Sequence, residues 1–537
     1  MSGERDRAGA AVVKRQGRHY TPVGLAGFLA AGVVRHLPVG GVVRVLDPAC
    51  GDGELLLGIV EVLGRVRPGV VVEVTGFDVD GEALGVAGKR AAERGVVGDW
   101  REGDFVAVAG EIPGGSFDVV ITNPPYVRTQ QLGAAVARVL ARDFNLVGRI
   151  DLTHPFISTF PRLLRAGGVM GLLCSNRFLS TRAGANVRGM LGGSLTPVEV
   201  YDLGDTRLFA AAVLPAIVIA TAECGPVTCR FVSAYRAEGA ARTSGDTLFE
   251  ALRADVDSVV EHGGKPVAVR VGELAERDDP AQPWRFSQHD HDWLARVEAA
   301  TWKTFGAVGK IRVGVKTTAD AVFIREGWPD VEPELVLPLV THEDVTPWQV
   351  GQPRTKVLYP YDLSQVRRTP VDLTKFPKTT AYLESHAERL KGRKYVTDAG
   401  RLWWEIWVPQ RPGLWAVPKV VFPDISERAR FAYDRSGVVV NGDCYWISLA
   451  DIGDERLAYL MLGVANSALG LRFYDEVCGN RLYSGRRRWI TQYVERFPLP
   501  DPRTAAAQEL VNTVSELIEG RGDPTAVDGL VERAFGL

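Results

Sequence analysis

Several features that would indicate a secreted, membrane-spanning or zinc-binding protein are missing from this sequence. None of its six cysteines forms a C-x-x-C pair, so we expect reduced thiols and neither a disulfide framework nor a zinc site. The longest apolar stretch, at 209–222, is shorter than the ~20 residues of a membrane-spanning helix and is interrupted by Pro215. The first twenty residues contain no apolar core of the kind that secretory signals have. The sequence therefore favours a cytoplasmic protein without a membrane segment.

The sequence also lacks an excess of either charge. Its 63 Lys and Arg against 65 Asp and Glu give a net charge of −2, so binding to a polyanion would require basic residues clustered on one surface. The 46% hydrophobic and 24% charged content is that of an ordinary globular protein. At 537 residues the chain is too long for a single hydrophobic core. We therefore expect two or three domains.

Short Val and Ile runs alternate with helical patterns in the first half of the chain. Strands are predicted at 42–46, 71–77, 117–122, 168–174, 198–203 and 213–221, and helices at 22–36, 53–65, 81–94 and 153–165. Ala166-Gly167-Gly168 is interpreted as the stop signal of the last helix. The alternation is typical of βαβ units and predicts an α/β fold, a Rossmann-like parallel sheet with helices on both faces.

Composition changes along the chain predict the domain boundaries. Eleven of the twelve tryptophans lie between Trp284 and Trp489, whereas the first half is rich in Gly, Ala and Val. We expect a first domain over 1–245, a polar linker over 246–283, a second, mixed α+β domain over 284–500 and a C-terminal helical segment over 501–537.

Acidic residues follow the first two predicted strands, and a third acidic residue, Asp104, lies in the GDF motif before the strand predicted at 117–122. Asp47 precedes the glycine turn of DPACGDG, and Leu56 stands where the dinucleotide fingerprint has its third glycine, so an ammonium group fits better there than a phosphate. Asp78 is placed to accept both hydroxyls of a ribose. Asp104 and Phe105 offer an acceptor and a flat ring to an adenine. Ammonium, ribose and adenine without phosphate describe S-adenosylmethionine.

The strand predicted at 117–122 ends in Asn123-Pro124-Pro125-Tyr126. An exocyclic amine on a nucleobase is a poor nucleophile because its lone pair is delocalised into the ring. The Asn123 side-chain oxygen and the Pro124 carbonyl can accept both of its N–H bonds and push the nitrogen toward sp³ geometry. The prolines fix the direction of the carbonyl, and Tyr126 offers a face on which the base stacks. The motif predicts methylation of an amine on a base flipped out of a duplex.

Taken one at a time, most of these residues have simpler interpretations. Asp78 and Asp104 could be helix caps, and Phe209 could be a core aromatic. The arginines of RLYSGRRRWITQY (481–493) could form a solvated face. Asn-Pro-Pro-Tyr after a strand, with acidic strand ends upstream, is much more specific.

The order of these motifs resembles the gamma class of amino-methylating DNA methyltransferases, in particular the TaqI-like adenine-N6 enzymes of restriction–modification systems. That class has a TP segment, a cofactor loop, NPPY and then a C-terminal target-recognition domain. Here the corresponding pieces are HYTP, DPACGDG, GFDVD, GDF and NPPYVR. The resemblance implies a methyltransferase domain followed by a DNA target-recognition domain over 284–500. It also implies methyl transfer from S-adenosylmethionine to N6 of a flipped-out adenine in duplex DNA.

The resemblance assigns roles residue by residue. Cofactor-binding roles fall to Thr21 at the methionine carboxylate, Asp47 at the ammonium, Asp78 at the ribose, Asp104 and Phe105 at the adenine, and Ala49, Cys50, Gly51 and Gly53 in the turn. Catalytic roles fall to Asn123, Pro124, Pro125 and Tyr126, and stacking on the target base to Tyr126 and Phe209. In the second half, which matches more loosely, Arg481, Arg486, Arg487 and Arg488 are predicted to bind DNA by holding phosphates or reading guanine.

Other functions remain compatible with these motifs. Cytosine-N4 methylation uses the same geometry, although Asn123 favours adenine. Protein glutamine methyltransferases also use NPPY on this fold, but they carry their substrate domain before the cofactor loop. A DNA-binding specificity protein with an inactive methylase fold is disfavoured because every acceptor position is present. Because about 20 residues precede the TP segment, we expect any restriction endonuclease or defence subunit to be a separate chain, and the enzyme to act on DNA as a monomer.

Overall fold

The computed structural model describes a chain that forms two compact units. It describes residues 20–126, 134–147, 151–208, 214–223, 228–237, 243–274, 279–284, 286–287, 291–328, 332–478, 482 and 485–537. Unit 1 comprises Met1–His289 and Leu482–Gly485, and unit 2 comprises Asp290–Arg481 and Arg486–Leu537. Within the described residues, no helix is both long and apolar enough to cross a membrane.

Unit 1 is built around one large sheet. Its described strands are β1 (Val42–Asp47), β2 (Val71–Asp78), β3 (Gly98–Glu102), β4 (Phe117–Thr122), β5 (Leu164–Ser175), β6 (Thr196–Asp202), β7 (Pro215–Thr221), β8 (Arg230–Arg236), β9 (Ser258–His262), β10 (Lys265–Leu274) and β11 (Phe286–Ser287). Its described α-helices are α1 (Val23–His36), α2 (Glu54–Val66), α3 (Gly81–Glu93), α4 (Phe105–Val108), α5 (Ala134–Asp143), α6 (Thr153–Leu163), α7 (Arg177–Ser180), α8 (Ala185–Gly193) and α9 (Leu248–Arg253), with 3-10 turns at Ala109–Glu111 and Arg182–Gly184.

The strand order places a crevice at one edge of this sheet. The order is β3-β2-β1-β4-β5-β7-β6-β8-β10-β11, and β9 pairs with β10. The strands from β3 to β5 are parallel, whereas β7 runs antiparallel to both β5 and β6. Because the chain proceeds in opposite directions from β1 and β4, their carboxyl ends flank the topological switch point, where open α/β sheets bind ligands.

Helices cover both faces of the sheet, as the sequence predicted. Val119 and Ile121 of β4 share a core with α1 and α2, whereas Val120 points into a second core that contains Phe156 of α6. All six residues of β4 are buried. This explains why the strand reads as a continuous apolar run instead of an alternating one.

The glycines interpreted as a helix stop belong to a strand. Helix α6 ends at Leu163, and β5 begins at the next residue. Gly167 adopts a φ of +71°, and a Cβ on Gly168 would lie 2.9 Å from the Arg165 carbonyl oxygen. These glycines therefore allow a close backbone approach beside the irregular β4–β5 register, so the predicted stop was wrong.

The linker predicted over 246–283 is also wrong for most of its length. Residues 248–253 form α9, which begins with a capping box between Thr247 and Glu250. Strands β9 and β10 pair antiparallel, and β10 joins the main sheet through β8. Only three of the ten residues of β10 are buried, and the others include Lys265, Arg270 and Glu273, so the segment is polar in sequence.

Unit 2 mixes short strands and helices, in agreement with the predicted α+β class. Its described strands are β12 (Lys303–Thr304), β13 (Ile311–Val313), β14 (Ile324–Arg325), β15 (Val336–Val340), β16 (Trp348–Gln349), β17 (Lys356–Leu358), β18 (Lys419–Pro423), β19 (Ile425–Ser426), β20 (Ala432–Asp434), β21 (Val439–Val440), β22 (Cys444–Ser448), β23 (Arg487–Arg488) and β24 (Pro498–Leu499). Its described helices are α10 (His291–Ala299), α11 (Phe305–Val308), α12 (Asp320–Phe323), α13 (Pro377–Ser385), α14 (Ala387–Lys391), α15 (Lys394–Asp398), α16 (Leu449–Ile452), α17 (Glu455–Asn466), α18 (Ala468–Val477), α19 (Thr491–Val494), α20 (Ala505–Ile518) and α21 (Ala526–Ala534), with 3-10 turns at Leu373–Lys375 and Pro412–Leu414.

The sheet β13-β22-β18-β20-β16 separates two cores within unit 2. Val420 of β18 faces the core formed with α17, α18, α20 and α21, and Val421 faces the other core, which contains Trp404 and Trp415. The predicted C-terminal helices are confirmed as α20 and α21, and Leu510 of α20 is fully buried. They are part of the core of unit 2 and not a separate segment.

Candidate active site

Four of the predicted polar residues lie at one edge of the unit 1 sheet. Asp47 and Asp78 are the last residues of β1 and β2, Asn123 follows β4 directly, and Asp104 follows β3 after Gly103. These strands are parallel and adjacent, so their carboxyl ends meet at the switch point.

The glycine turn after β1 is held against the end of β2 by backbone hydrogen bonds. The Cys50 amide donates to the Phe77 carbonyl (2.8 Å), and the Gly51 amide donates to Asp78 Oδ2 (2.8 Å). Gly51 and Gly53 have φ values of +53° and +83°, which side chains disfavour. The turn thus depends on its glycines, and it brings backbone amides and the Asp78 carboxylate together.

Asp47 is a buried carboxyl group without a cationic partner. It is 1% exposed and accepts a hydrogen bond from the Ala49 amide (3.0 Å). Burial, opposed by that hydrogen bond and reinforced by the charge of Asp78, raises the pKa of Asp47 to about 7. No Lys, Arg or His of the described residues pairs with it. A ligand ammonium group would supply the missing positive charge, so this position fits the predicted cofactor.

Asp78 is oriented by two backbone donors. Its Oδ2 accepts from Gly51, and its Oδ1 accepts from the Asp80 amide (2.9 Å). Each carboxylate oxygen has a further lone pair, so both can accept ribose hydroxyls at the same time. A surface cleft of about 330 Å³ opens beside this turn and is lined by Tyr20, Asp52, Asp80, Glu82, Ala83 and Val86.

Only one of the two predicted residues of the GDF motif, Asp104, has its side chain at the site. Asp104 is exposed and caps α4 by accepting from the Val106 amide (2.9 Å). Phe105 is 1% exposed and packs between Phe77 (5.3 Å) and Phe156 (5.7 Å). As placed, its ring is a core aromatic and does not present a face for adenine, whereas the Asp104 carboxylate still lies at the edge of the site.

The Asn123 side chain is fixed from both ends of its amide. Its Nδ2 donates to Thr21 Oγ1 (3.2 Å), and its Oδ1 accepts from the Tyr126 hydroxyl (2.5 Å). The amide is thus held between two hydroxyl groups, with its nitrogen toward Thr21 and its oxygen toward Tyr126. The interaction with Thr21 was missed at the sequence level because 102 positions separate the two residues.

The two proline carbonyls that follow Asn123 differ in their hydrogen bonds. The Pro125 carbonyl accepts from the Thr153 hydroxyl (3.4 Å), whereas the Pro124 carbonyl receives no hydrogen bond from the described part of the chain. Pro124 is buried and Asn123 is partly exposed. The Asn123 amide oxygen and an uncommitted carbonyl therefore lie on adjacent residues.

Tyr126 contacts both the amide and the neighbouring strand. Its hydroxyl lies 2.5 Å from Asn123 Oδ1 and 3.3 Å from the Leu173 carbonyl at the end of β5. Burial raises the pKa of Tyr126 well above its usual range, so the hydroxyl remains a donor at neutral pH. Its ring is partly buried against the core that contains Phe156.

A second polar cluster at the same edge of the sheet was not predicted. Asn176, after β5, donates to Asp202 Oδ1 at the end of β6 (2.9 Å), and the Tyr235 hydroxyl donates to Asp202 Oδ2 (2.5 Å). The Gly204 amide also donates to Asp202 (3.2 Å). Asn and Asp directly after two apolar strands were the available signal. The cluster anchors the start of the 203–208 segment.

The arginines predicted to bind DNA differ in their exposure and in their ion pairs. Arg487 is 3% exposed and forms a bidentate ion pair with Asp475 (2.7 and 2.8 Å), so its assignment to DNA binding was wrong. Arg488 is about half exposed and lies 3.3 Å from Asp424, and Arg486 is exposed. For these two the DNA-binding role stays a prediction. Arg481 and Phe209 lie outside the described residues.

Comparison with known proteins identifies relatives of both halves of the chain. The family described as Eco57I restriction-modification methylase matches residues 98–209, and a general methyltransferase domain matches residues 45–143. The type II methyltransferase M.BanIII of Aneurinibacillus aneurinilyticus is 34% identical over 94% of this chain and 93% of its own length. The type II methyltransferase M.PaeR7I of Pseudomonas aeruginosa is 28% identical over 92% of this chain and 87% of its own length.

A solved structure shares the fold over most of the chain. The type IIL restriction–modification enzyme MmeI, solved in complex with DNA, aligns with 95% of this chain and 72% of its own. The TM-score is 0.60 and the sequence identity is 13%. At this identity the likeness concerns the fold alone.

Proposed function

The chain belongs to the type II restriction–modification methyltransferase family, and from this premise we propose that it methylates N6 of adenine in duplex DNA, with S-adenosylmethionine as methyl donor. The observation that carries the proposal is the Asn123 amide, which Thr21 and Tyr126 orient beside the uncommitted Pro124 carbonyl. Family membership supports methylation of DNA. The pair of acceptors fits an exocyclic amine of either adenine or cytosine, and the choice of adenine rests on asparagine at position 123.

Two fixed acceptors make the amine of adenine nucleophilic. Asn123 Oδ1 takes one N–H bond of the amine, and the Pro124 carbonyl takes the other. The nitrogen lone pair then leaves conjugation with the ring and becomes available as a nucleophile. It would form a bond to the methyl carbon as the bond from that carbon to the sulfonium sulfur breaks, and the nitrogen would then lose one proton to solvent. Because an amide does not titrate near neutral pH, Asn123 accepts without competing for the proton. An amide oxygen has two lone pairs, so Asn123 Oδ1 can accept from the Tyr126 hydroxyl and from the amine of the base at the same time.

The cofactor side of the proposal rests on three residues. S-adenosylmethionine supplies an electrophilic methyl group on a sulfonium. Asp47 binds its ammonium group and becomes ionised as it does so, because the positive charge lowers a pKa that burial has raised. Asp78 binds the ribose hydroxyls. Thr21 accepts from Asn123 through Oγ1, so its hydroxyl hydrogen can still be donated to the methionine carboxylate.

The amine of a paired adenine is inaccessible, so the nucleotide must be flipped out of the duplex. Flipping costs a few kcal/mol, and stacking on an aromatic ring recovers ~1–3 kcal/mol. Tyr126 is the proposed stacking partner, with Phe209 as a second one on the basis of the resemblance. Modification would protect host DNA from a separate restriction endonuclease, and the enzyme would act on DNA as a monomer.

Transfer of a labelled methyl group tests this proposal. Purified protein is incubated with methyl-labelled S-adenosylmethionine and duplex DNA, and the nucleosides are then separated by mass spectrometry. Label in N6-methyladenine is expected, and it should disappear in Asn123→Ala while the variant still binds S-adenosylmethionine. Label in N4-methylcytosine would mean that the methylated base is cytosine and not adenine. Label in a release-factor protein but in no DNA would refute the proposal.

A further inference from the structure

Basic residues are concentrated in one segment of unit 2. Residues 353–411 contain twelve Lys and Arg against six Asp and Glu, whereas the whole chain has a net charge of −2. The remainder of the chain is therefore distinctly acidic. A localised excess of this kind is the electrostatic pattern of a polyanion-binding surface.

Several cations in this segment have no acidic partner. Among the described residues, no carboxylate lies within ion-pair distance of Lys391, Lys394 or Arg401, and all three are at least partly exposed. Arginines elsewhere are commonly paired, for example Arg90 with Asp52. An unpaired cation keeps its full charge available to a ligand.

Aromatic rings contact two of these cations instead, Lys391 and Arg401. Lys391 Nζ lies 5.3 Å from the Trp403 ring, and the Arg401 guanidinium lies 4.8 Å from the Trp407 ring. Tyr395 packs edge-on against Trp407 (5.2 Å) and is 45% exposed. These contacts form two groups, Lys391 with Trp403, and Tyr395 and Arg401 with Trp407. Together with exposed Lys394, which precedes Tyr395 in the sequence, we call these six residues the 391–407 face.

A buried arginine makes the 391–407 face rigid. Arg393 is 6% exposed and donates to the carbonyls of Thr317 (2.9 Å), Trp403 (2.9 Å) and Glu405 (3.0 Å). It therefore ties the turn after α14 to the tryptophan segment, and no carboxylate of the described residues neutralises it. Arg401 is also anchored, since it donates to the Ile406 (3.0 Å) and Trp407 carbonyls. A surface ordered in advance loses little conformational entropy on binding.

We propose that the 391–407 face binds the sugar–phosphate backbone of duplex DNA. Lysines act as point charges toward phosphates, and a tyrosine hydroxyl donates to phosphate oxygens, so the face contributes affinity and register and not sequence readout. This inference rests on the proposed function, because it assigns part of the contact with the substrate. It assigns backbone contact to the 391–407 face and not to Arg487, which is buried.

A matched pair of double variants tests the proposal. Lys391→Gln/Lys394→Gln removes two charges from the face. Lys303→Gln/Arg456→Gln removes two charges from exposed residues elsewhere in unit 2, and Lys303 also lies over a tryptophan, Trp302, at 4.4 Å. The dissociation constant for a fluorescein-labelled duplex of mixed sequence is measured by anisotropy over a series of salt concentrations, with S-adenosylmethionine binding as the check on folding.

Two lost phosphate contacts should lower the slope of log K against log salt by about 1.8. We expect this change, with several-fold weaker binding, in the 391/394 variant and an unchanged slope in the control. If the two variants have equal slopes while the wild-type protein binds and methylates DNA, the 391–407 face does not bind the DNA backbone, and the proposed function is unaffected. Wild-type protein that binds S-adenosylmethionine but no DNA would overturn the proposed function and the face together. Equal loss of affinity for poly-glutamate would overturn the assignment to DNA.

Discussion

Thr21 is the residue whose placement adds most to the sequence-level account. Its hydroxyl accepts from Asn123 Nδ2, and in the proposed mechanism this contact keeps Oδ1 turned toward the substrate amine. In Thr21→Val the valine side chain has the same shape as threonine but cannot accept the hydrogen bond from Asn123. Losing one hydrogen bond of about 1 kcal/mol should lower kcat roughly 5–10-fold, and Thr21→Ser should restore it. Steady-state methylation kinetics check this, and an unchanged kcat in Thr21→Val would contradict a positioning role.

Tyr126 contributes a ring and a hydroxyl, and these can be separated. Tyr126→Phe keeps the ring and removes the donor to Asn123, so kcat/KM should stay within roughly tenfold of wild type. Tyr126→Ala removes the stacking surface, worth ~1–3 kcal/mol, and should cost more. Methyl transfer rates for the two variants give the comparison. Equal rates for the Ala and Phe variants would exclude a stacking role.

Asp47 makes the stability of the ligand-free protein depend on pH. Its pKa of about 7 in the folded state lies above the ordinary 3.8, so the folded state retains the proton between these values and the unfolded state does not. Stability therefore falls by up to about 1.4 kcal/mol per pH unit as the pH rises through this window. Asp47→Asn cannot ionise, so its melting temperature relative to wild type should be higher at about pH 8 than at about pH 5.

Binding of S-adenosylmethionine gives the matching control for Asp47. Since the ammonium group requires the ionised carboxylate, wild-type affinity should increase as the pH rises toward 7, with uptake of the ligand releasing a proton. Calorimetry in buffers of different ionisation enthalpy measures that proton. Pronounced pH dependence that persists in Asp47→Asn would assign the titration to another group.

Individual site residues were predictable where strand ends determine position. Asp47, Asp78 and Asn123 follow apolar runs whose parallel pairing brings their ends together. Arg487 was not predictable in this way. Its partner Asp475 lies on helix α18, and nothing in the sequence SGRRRW (484–489) distinguishes a buried guanidinium from an exposed one. Phe105 shows the same limit, since an aromatic after a strand can face a ligand or the core.

Among the secondary-structure elements, buried ones were predicted better than half-exposed ones. Strand β4 reads clearly because helices cover both of its faces. Strands β9 and β10 were taken for a linker because their partly exposed positions carry charged residues. The two-residue strands of unit 2 are too short to show a periodic pattern in the sequence, so the pairing of its sheets could not be predicted.

The C-terminal helix α20 should contribute to the stability of unit 2. Leu510 is fully buried, and a Cβ on Gly463 of α17 would lie 3.0 Å from its Cδ1, so the two helices approach closely. Leu510→Ala should therefore lower the free energy of unfolding by about 2–5 kcal/mol through the cavity it creates. Exposed Gln508 on the same helix provides the control, and Gln508→Ala should be nearly neutral. Denaturant unfolding compares them, and equal midpoints would mean that α20 does not stabilise the core.

At the scale of the whole molecule, a net charge near zero conceals an uneven distribution of charge. Unit 1 supplies the carboxylates and the amide of the proposed active site, and unit 2 carries the basic excess of residues 353–411. Composition alone could not reveal this, because averaging over 537 residues cancels the two contributions. The order of motifs along the chain was more informative, since it predicted a DNA methyltransferase of a restriction–modification system. Comparison over 94% of the chain confirms membership of the type II restriction–modification methyltransferases, whereas the gamma class stays a prediction.

The central claim is that Asn123 and Pro124 act together as acceptors for the amine of an adenine in DNA. The most direct measurement is nucleoside mass spectrometry of plasmid DNA from cells that express either the wild-type protein or Asn123→Ala, grown with isotopically labelled methionine. We expect labelled N6-methyladenine with the wild-type protein and none with the variant. N6-methyladenine at equal levels with both proteins, or no methylated base with a folded wild-type protein, would contradict the acceptor role of Asn123.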